Sequence, residues 1–343
     1  TLSPHLLRPE TRPYPGTILR SAIPVALRLI ALTATSSFAF SPVRGGFVPA
    51  TRSCLLPERL GGRHLAVMEV PAAATSSSEH AAQQSTTQAE AGVAEAWEKE
   101  QLHLRDQIKL EDDLSFNPQT FEGLKLIGGV DISFVKDDAD AAAATLVVLE
   151  YPSMKVVYEE TREVKMELPY MAGFLAFREV PHLLKLLHTL KETHPEAFPQ
   201  LIMVDGNGVL HPRACGLASH FGVLGGVPTI GVAKKFMHVD GLSRTQVSER
   251  AKRELHARGE SFDLVGDSGR VWGTAVIGAA GSVNPIFVSI GHRISLGAAA
   301  RLVVACCSEA RVPEPIRQAD QRSREYLAPS GRVLPKPELT ADD

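Results

Sequence analysis

Leu201-Ile202-Met203-Val204-Asp205-Gly206-Asn207-Gly208-Val209-Leu210-His211-Pro212-Arg213 is the stretch on which the reading of this chain turns. Four apolar residues are enough for a buried strand. The strand delivers Asp205 into a turn where Gly206 and Gly208 let backbone groups come close with no Cβ in the way. In open α/β sheets ligands bind beyond the carboxyl ends of strands. A lone Asp-Gly is more often a turn or a helix cap, so the weight of Asp205 depends on what the neighbouring segments bring beside it.

Upstream, Lys125–Phe134 reads as a strand in which Val130, Ile132 and Phe134 alternate with Asp131 and Ser133, next to the pair Gly128-Gly129. Thr145–Tyr151 and Lys155–Glu160, split by Pro152-Ser153-Met154, read as a hairpin, so three strands in succession form an antiparallel meander. A helix follows, with Pro181 expected in its first turn, a stripe of Leu183, Leu184, Leu187 and Leu190, and Glu179 at or just before its start. Beyond the Asp205 strand come a helix around Gly216–Leu224 and a buried strand, Val227–Lys235, closed by Lys234. Helices at Thr245–Arg258 and at Leu296–Cys307, the latter capped by Ser295, flank strands at Val271–Ile277 and Pro285–Ile290; Gly291-His292-Arg293 ends the last strand.

This order predicts a layered α/β sheet, a three-strand antiparallel meander joined to parallel strands, with helices on both faces. The first meander strand is the natural neighbour of the Asp205 strand, which sets Asp131 and Asp205 side by side. Paired carboxylates repel unless a cation lies between them, and hard divalent ions take oxygen ligands. That is the donor set of a metal-dependent phosphodiester-cleaving site. Glu179, Lys234 and the histidines, each ending its own apolar segment, are the further candidates.

The remaining sequence bounds the alternatives. A chain of 343 residues with 44% hydrophobic residues can bury a sizeable core. A formal net charge of −3 leaves no global positive field, so any nucleic-acid site is a local basic groove. Cys54, Cys215, Cys306 and Cys307 show neither metal spacing nor a disulfide framework. Residues 1–67 hold eight arginines, no lysine and only two acids, Glu10 and Glu58. That bias is open to three readings: an organelle-targeting segment, a signal-type segment over Ile18–Phe40, or upstream sequence preceding Met68. Arg28 interrupts the apolar run and argues against a membrane span. Glu69–Val93, rich in Ala, Ser, Thr and Gln, has nothing large to bury, so residues 1–93 are expected to be a low-complexity region, 94–328 the catalytic domain, and 329–343 a flexible tail. An amphipathic helix near Ala94 turns Trp97 and Leu104 inward.

Gly-Gly-Val-Asp-Ile-Ser-Phe (128–134), Pro-Tyr (169–170), Gly-Phe-Leu-Ala-Phe-Arg-Glu-Val-Pro (173–181), Val-Asp-Gly-Asn-Gly-Val-Leu-His-Pro-Arg (204–213), Gly-Val-Ala-Lys-Lys (231–235) and Gly-His-Arg-Ile-Ser (291–295) together resemble the endonuclease V family, in order from about Glu95 to Leu327. The central motif, with Pro-Glu-Pro-Ile-Arg-Gln-Ala-Asp at 313–320, is more similar to the eukaryotic members. The resemblance implies a ribonuclease H-like fold, dependence on Mg²⁺ or Mn²⁺, and hydrolysis of the second phosphodiester bond 3′ to inosine in RNA or DNA, leaving a 5′-phosphate. Carried over, Asp131, Asp205 and Glu179 would hold metal, Lys234 would support the scissile phosphate, and His292 would orient the attacking water or a second metal. Pro169 and Tyr170 resemble a wedge that inserts at the displaced base, although the bacterial wedge has a second proline where this chain has Ala172. Gly206, Asn207 and Gly208, together with Gly128-Gly129, are expected to give the base backbone contacts. His211 either contacts the strand or fixes the turn, and Asp320 receives no role.

A monomer in cytoplasm or nucleus, binding inosine-containing RNA or DNA and no membrane, is the expected setting. An organelle is the alternative if residues 1–67 are a targeting segment. The competing readings are another ribonuclease H-like nuclease of the excision type and a catalytically silent inosine-binding module. Single-stranded RNA is the expected preference, because it spares the cost of unpairing.

Overall fold

The computed structural model describes residues 92–136 and 138–328. Residues 1–91 and 329–343, which hold most of the expected low-complexity region and the whole expected tail, lie outside the described residues. A first helix, α1 (92–105), begins two residues before the expected boundary and buries Trp97 and Leu104 as its periodicity predicts.

Among the described residues eight strands form one mixed sheet: β1 (Leu126–Val135), β2 (Asp138–Glu150), β3 (Val156–Lys165), β4 (Leu201–Asp205), β5 (Thr229–Ala233), β6 (Ser261–Val265), β7 (Val271–Val276) and β8 (Ile286–His292). Their order is β3-β2-β1-β4-β5-β8-β7-β6. The meander β1-β2-β3 is antiparallel, β1-β4-β5 are parallel, and β5-β8-β7-β6 return antiparallel. This is the expected ribonuclease H-like arrangement.

Five further α-helices among the described residues cover the sheet: α2 (Leu175–Thr193), α3 (Leu217–Gly225), α4 (Arg244–Glu254), α5 (Leu296–Cys306) and α6 (Glu314–Leu327). On one face Val130, Leu146, Ile202 and Val204 pack with α2 and α3 through Val180, Leu183, Leu187 and Phe221. On the other, Ile127, Met203, Ile230, Val232 and Val288 pack with α5 and with Ile316 of α6. Period-two alternation therefore decides the site: with Val130 and Val204 committed to the α2 side, Asp131 and Asp205 must face α6. At Gly129 a Cβ would overlap the Pro315 carbonyl, so a glycine is what lets α6 settle onto β1.

Several expectations are corrected. β2 extends back through Ala141–Ala144, a run whose small side chains disguise a strand; Ala142, Ala143 and Ala144 are fully buried. β6, a five-residue strand at the sheet edge, adds to the expected set, and the helix expected over Thr245–Arg258 is shorter. That helix, α4, stops at Glu254 because the Glu260 carboxylate takes the backbone N–H groups of His256 and Ala257. α2 begins at Leu175, so Pro181 lies inside it and Glu179 is within the helix, not at its N-terminus. The extra turn is held by Trp97, Phe174, Phe177 and His220, whose rings meet at 4.9–6.1 Å and offset the disruption of an internal proline.

Candidate active site

The parallel register pairs Val130 with Val204, which places Asp131 and Asp205 on adjacent strands at the same level. Carboxylate oxygens of Asp131, Asp205 and Asp320 all lie within 4.8 Å of one another. Asp320 comes from α6, where helical spacing sets it on one face with Ser323 and Arg324. Lys234, the residue after β5, reaches Asp205 Oδ2 at 2.5 Å and Asp320 Oδ1 at 3.7 Å, and Arg324 reaches Asp320 Oδ1 at 2.9 Å. Ser323 donates to Asp131 Oδ2 at 2.9 Å and lies 2.7 Å from Ser133 Oγ, so buried hydroxyls fix the Asp131 rotamer.

These groups line an open cavity of about 380 Å³ together with Glu179, Leu175, Leu183 and Leu217. Burial, then the neighbouring Asp205 and Asp320 carboxylates, pushes Asp131 up to about 7. Glu179 is pushed up to about 8 by burial and then by Asp131 and Asp205. Three carboxylates held this close against partial neutralisation from Lys234 and Arg324 form a hard, oxygen-only donor set, and it fits a divalent ion such as Mg²⁺. The resemblance implies Glu179 as the third ligand. The tight group instead contains Asp320, with Glu179 facing the same cavity from α2. The signal for Asp320 was present, since Ile316, Ala319, Ser323 and Leu327 repeat at helical spacing after Pro315.

His292 does not join this group. β8 runs antiparallel to β5 and pairs His292 with Thr229, whereas Asp205 is level with Val232. Three strand steps separate those levels, about 10 Å toward the opposite end of the sheet. There His292 Nδ1 accepts from the Lys109 backbone N–H at 3.2 Å, and burial pushes the ring down to about 4.

Gly206-Asn207-Gly208 spends most of its backbone inside the protein. Gly206 N–H donates to Val232 O and Gly208 N–H to Ser289 Oγ, while the carbonyls of Asn207 and Gly208 accept from Ala218 and Gly216. Those four backbone groups are taken up inside the protein, and Asn207 Oδ1 is buried without a hydrogen-bond partner. Of the two readings of His211, the structure fits the turn: it is 3% exposed, with Nδ1 accepting from Arg213 N–H and Nε2 on Gly173 O. Pro169 and Tyr170 lie on an open loop before α2, and Tyr170 is 66% exposed.

Among the described residues no helix is long and apolar enough to cross a membrane. A sequence profile of the endonuclease V family matches residues 103–321. Endonuclease V of Homo sapiens is 49% identical over 235 residues, covering 68% of this chain and 83% of its own. That of Mus musculus is 50% identical over 232 residues, covering 67% and 68%. The crystal structure of the human catalytic domain superposes with a TM-score of 0.68 at 48% identity, covering 70% of this chain and 97% of that one. A Ciona intestinalis endonuclease V, solved with a 24mer DNA containing an inosine followed by a ribo-adenosine, gives 0.65 at 40% identity, covering 70% and 99%.

Proposed function

Since this chain belongs to the endonuclease V family, we propose that it is a metal-dependent endonuclease that hydrolyses the second phosphodiester bond 3′ to inosine, with single-stranded RNA as preferred substrate. The observation that carries this reading is the meeting of Asp131, Asp205 and Asp320 oxygens within 4.8 Å beside Lys234, in a cavity open to solvent.

Asp131, Asp205 and Asp320 would hold Mg²⁺ or Mn²⁺, which when bound supplies Lewis-acid polarisation of the phosphate and a lowered pKa for water. Ser133 and Ser323 keep Asp131 turned toward the site. Lys234 presents a compact ammonium where negative charge develops on the phosphate. Glu179, buried and facing the same cavity from α2, is placed to exchange a proton with water there. Tyr170, exposed on its loop, offers a ring face to the gap left by a displaced base, a contact worth roughly 1–3 kcal/mol. The Ciona intestinalis relative was solved with a DNA in which a ribo-adenosine follows the inosine, so the sugar at that position is the one to vary.

The test uses matched inosine oligonucleotides that differ in one sugar, ribose or deoxyribose, beside the scissile phosphate, in Mg²⁺ at fixed salt. Cleavage by the native chain, its loss in Asp131→Ala and Asp205→Ala, and slower cutting of the deoxyribose version are expected. Equal or faster cutting of the deoxyribose version would move the preference to DNA, and near-normal rates in either variant would remove the metal assignment.

A further inference from the structure

The Tyr170 loop is not simply open chain: its base is fixed at one atom. Gly173, three residues beyond Tyr170, sits at φ +80° and turns its carbonyl inward. That oxygen meets Arg213 Nη2 at 2.7 Å, His211 Nε2 at 3.1 Å and Gln101 Nε2 at 3.3 Å. A carbonyl has two lone pairs, so three donors over-determine its direction.

Each donor is itself held. Gln101 is 1% exposed, accepts from Arg213 Nε at 2.5 Å and donates to Cys215 O at 2.5 Å. The Arg213 guanidinium stacks 4.1 Å from the centre of the Phe174 ring. Burial keeps His211 neutral, and with Nδ1 accepting from Arg213 N–H its Nε2 carries the proton that points at Gly173. His211 and Arg213 lie on the turn that leaves Asp205. One oxygen thus joins the Tyr170 loop, the Asp205 turn and α1.

Such a joint has a use if Tyr170 enters a nucleic-acid strand. A loop that must order on binding loses part of its contact energy, and a loop already fixed does not. A rigid link also fixes how many nucleotides separate the base at Tyr170 from the phosphate at the carboxylates. We propose that Gln101, His211 and Arg213 are positioning residues that clamp the Tyr170 loop to the Asp205 turn at the Gly173 carbonyl, and so set both substrate affinity and the bond that is cut. This inference rests on the reading of Tyr170 as the element that meets the inosine.

The experiment is a double-mutant cycle in the full chain, with a single-stranded RNA oligonucleotide carrying one inosine, following KM, kcat and cut position. Arg213→Ala should raise KM roughly tenfold, leave kcat within a few-fold, and spread cuts onto the bonds adjacent to the principal one. In the Tyr170→Ala background the same change should cost little, because the clamp acts through that loop. Arg213→Lys, which keeps charge and bulk but cannot span Gln101 and Gly173 together, should show the same pattern more weakly; it serves if thermal unfolding shows that the alanine variant does not fold. Equal fold-changes in both backgrounds with an unmoved cut position overturn the clamp and leave the Tyr170 reading standing. Unchanged KM in Tyr170→Ala alone overturns that reading and the clamp with it.

Discussion

Replacing Asp320 by asparagine separates charge from shape at the acidic cluster. Asp320 takes part in two repulsions, with Asp131 and Asp205 at no more than 4.8 Å, and two attractions, to Lys234 at 3.7 Å and Arg324 at 2.9 Å. At an effective dielectric near 20 each repulsion is at least about 3.5 kcal/mol, while the attractions are about 4.5 and about 6 kcal/mol. The repulsions, about 7 kcal/mol together, offset roughly two thirds of the attractions, about 10 kcal/mol together, and partial exposure screens the difference, so the metal-free Asp320→Asn protein should melt at or a few degrees below the native one. Metal response should differ sharply. An ion at about a hundred times its Kd stabilises by about 2.7 kcal/mol, which for a domain of this size is roughly 5–11 °C in Tm. Loss of a carboxylate ligand should weaken binding at least as much as loss of a group that only orients a ligand, by on the order of 100-fold. The ion concentration would then only match Kd, leaving about 0.4 kcal/mol, roughly 1 °C. Thermal unfolding of both proteins with chelator and with Mg²⁺ or Mn²⁺ reads this directly. Retention of the full metal-induced shift by Asp320→Asn, with its loss in Glu179→Gln, would make Glu179 the third ligand and refute the assignment.

The metal-free protein should lose stability as pH rises from 6.5 to 8: Asp131 and Glu179, raised to about 7 and about 8, bind protons in the folded state that the unfolded chain has already released. The buried histidines 211, 220 and 292, lowered to about 4, cost stability as pH falls through the unfolded value of 6.5 and become neutral in both states as pH rises above it. Tm measured against pH with chelator should therefore peak near 6.5, and a flat profile to pH 8 would contradict the buried carboxyls. Deleting residues 1–91 should leave cleavage and Tm nearly unchanged, since that stretch carries no motif and no apolar periodicity; insoluble or inactive truncated protein would show that the domain begins earlier.

What the sequence made legible was what strand periodicity and element order control. Alternation in Val130-Asp131-Ile132 and the end of the Leu201–Val204 run were enough to set two carboxylates side by side, because a one-residue slip would have turned Val130 and Val204 out of the core. Pairing direction was not legible. Gly291-His292 ends a strand just as Asp205 does, and its place at the site came from the resemblance alone. Only the hydrogen-bonded register shows that β8 descends where β4 and β5 ascend, taking His292 to the other end of the sheet. The place of Asp320 was illegible for the opposite reason. It lies on a helix that touches β1 more than a hundred positions away in sequence, and the contact depends on a missing Cβ at Gly129 that no local pattern reveals. The same holds for His211, whose character as a neutral, doubly engaged ring follows from Gly173 and Arg213 and not from its own motif. A residue at a strand end is therefore a strong candidate only once the direction of its strand is known, and helix residues that complete a strand-end site must be sought at the glycines that admit the helix.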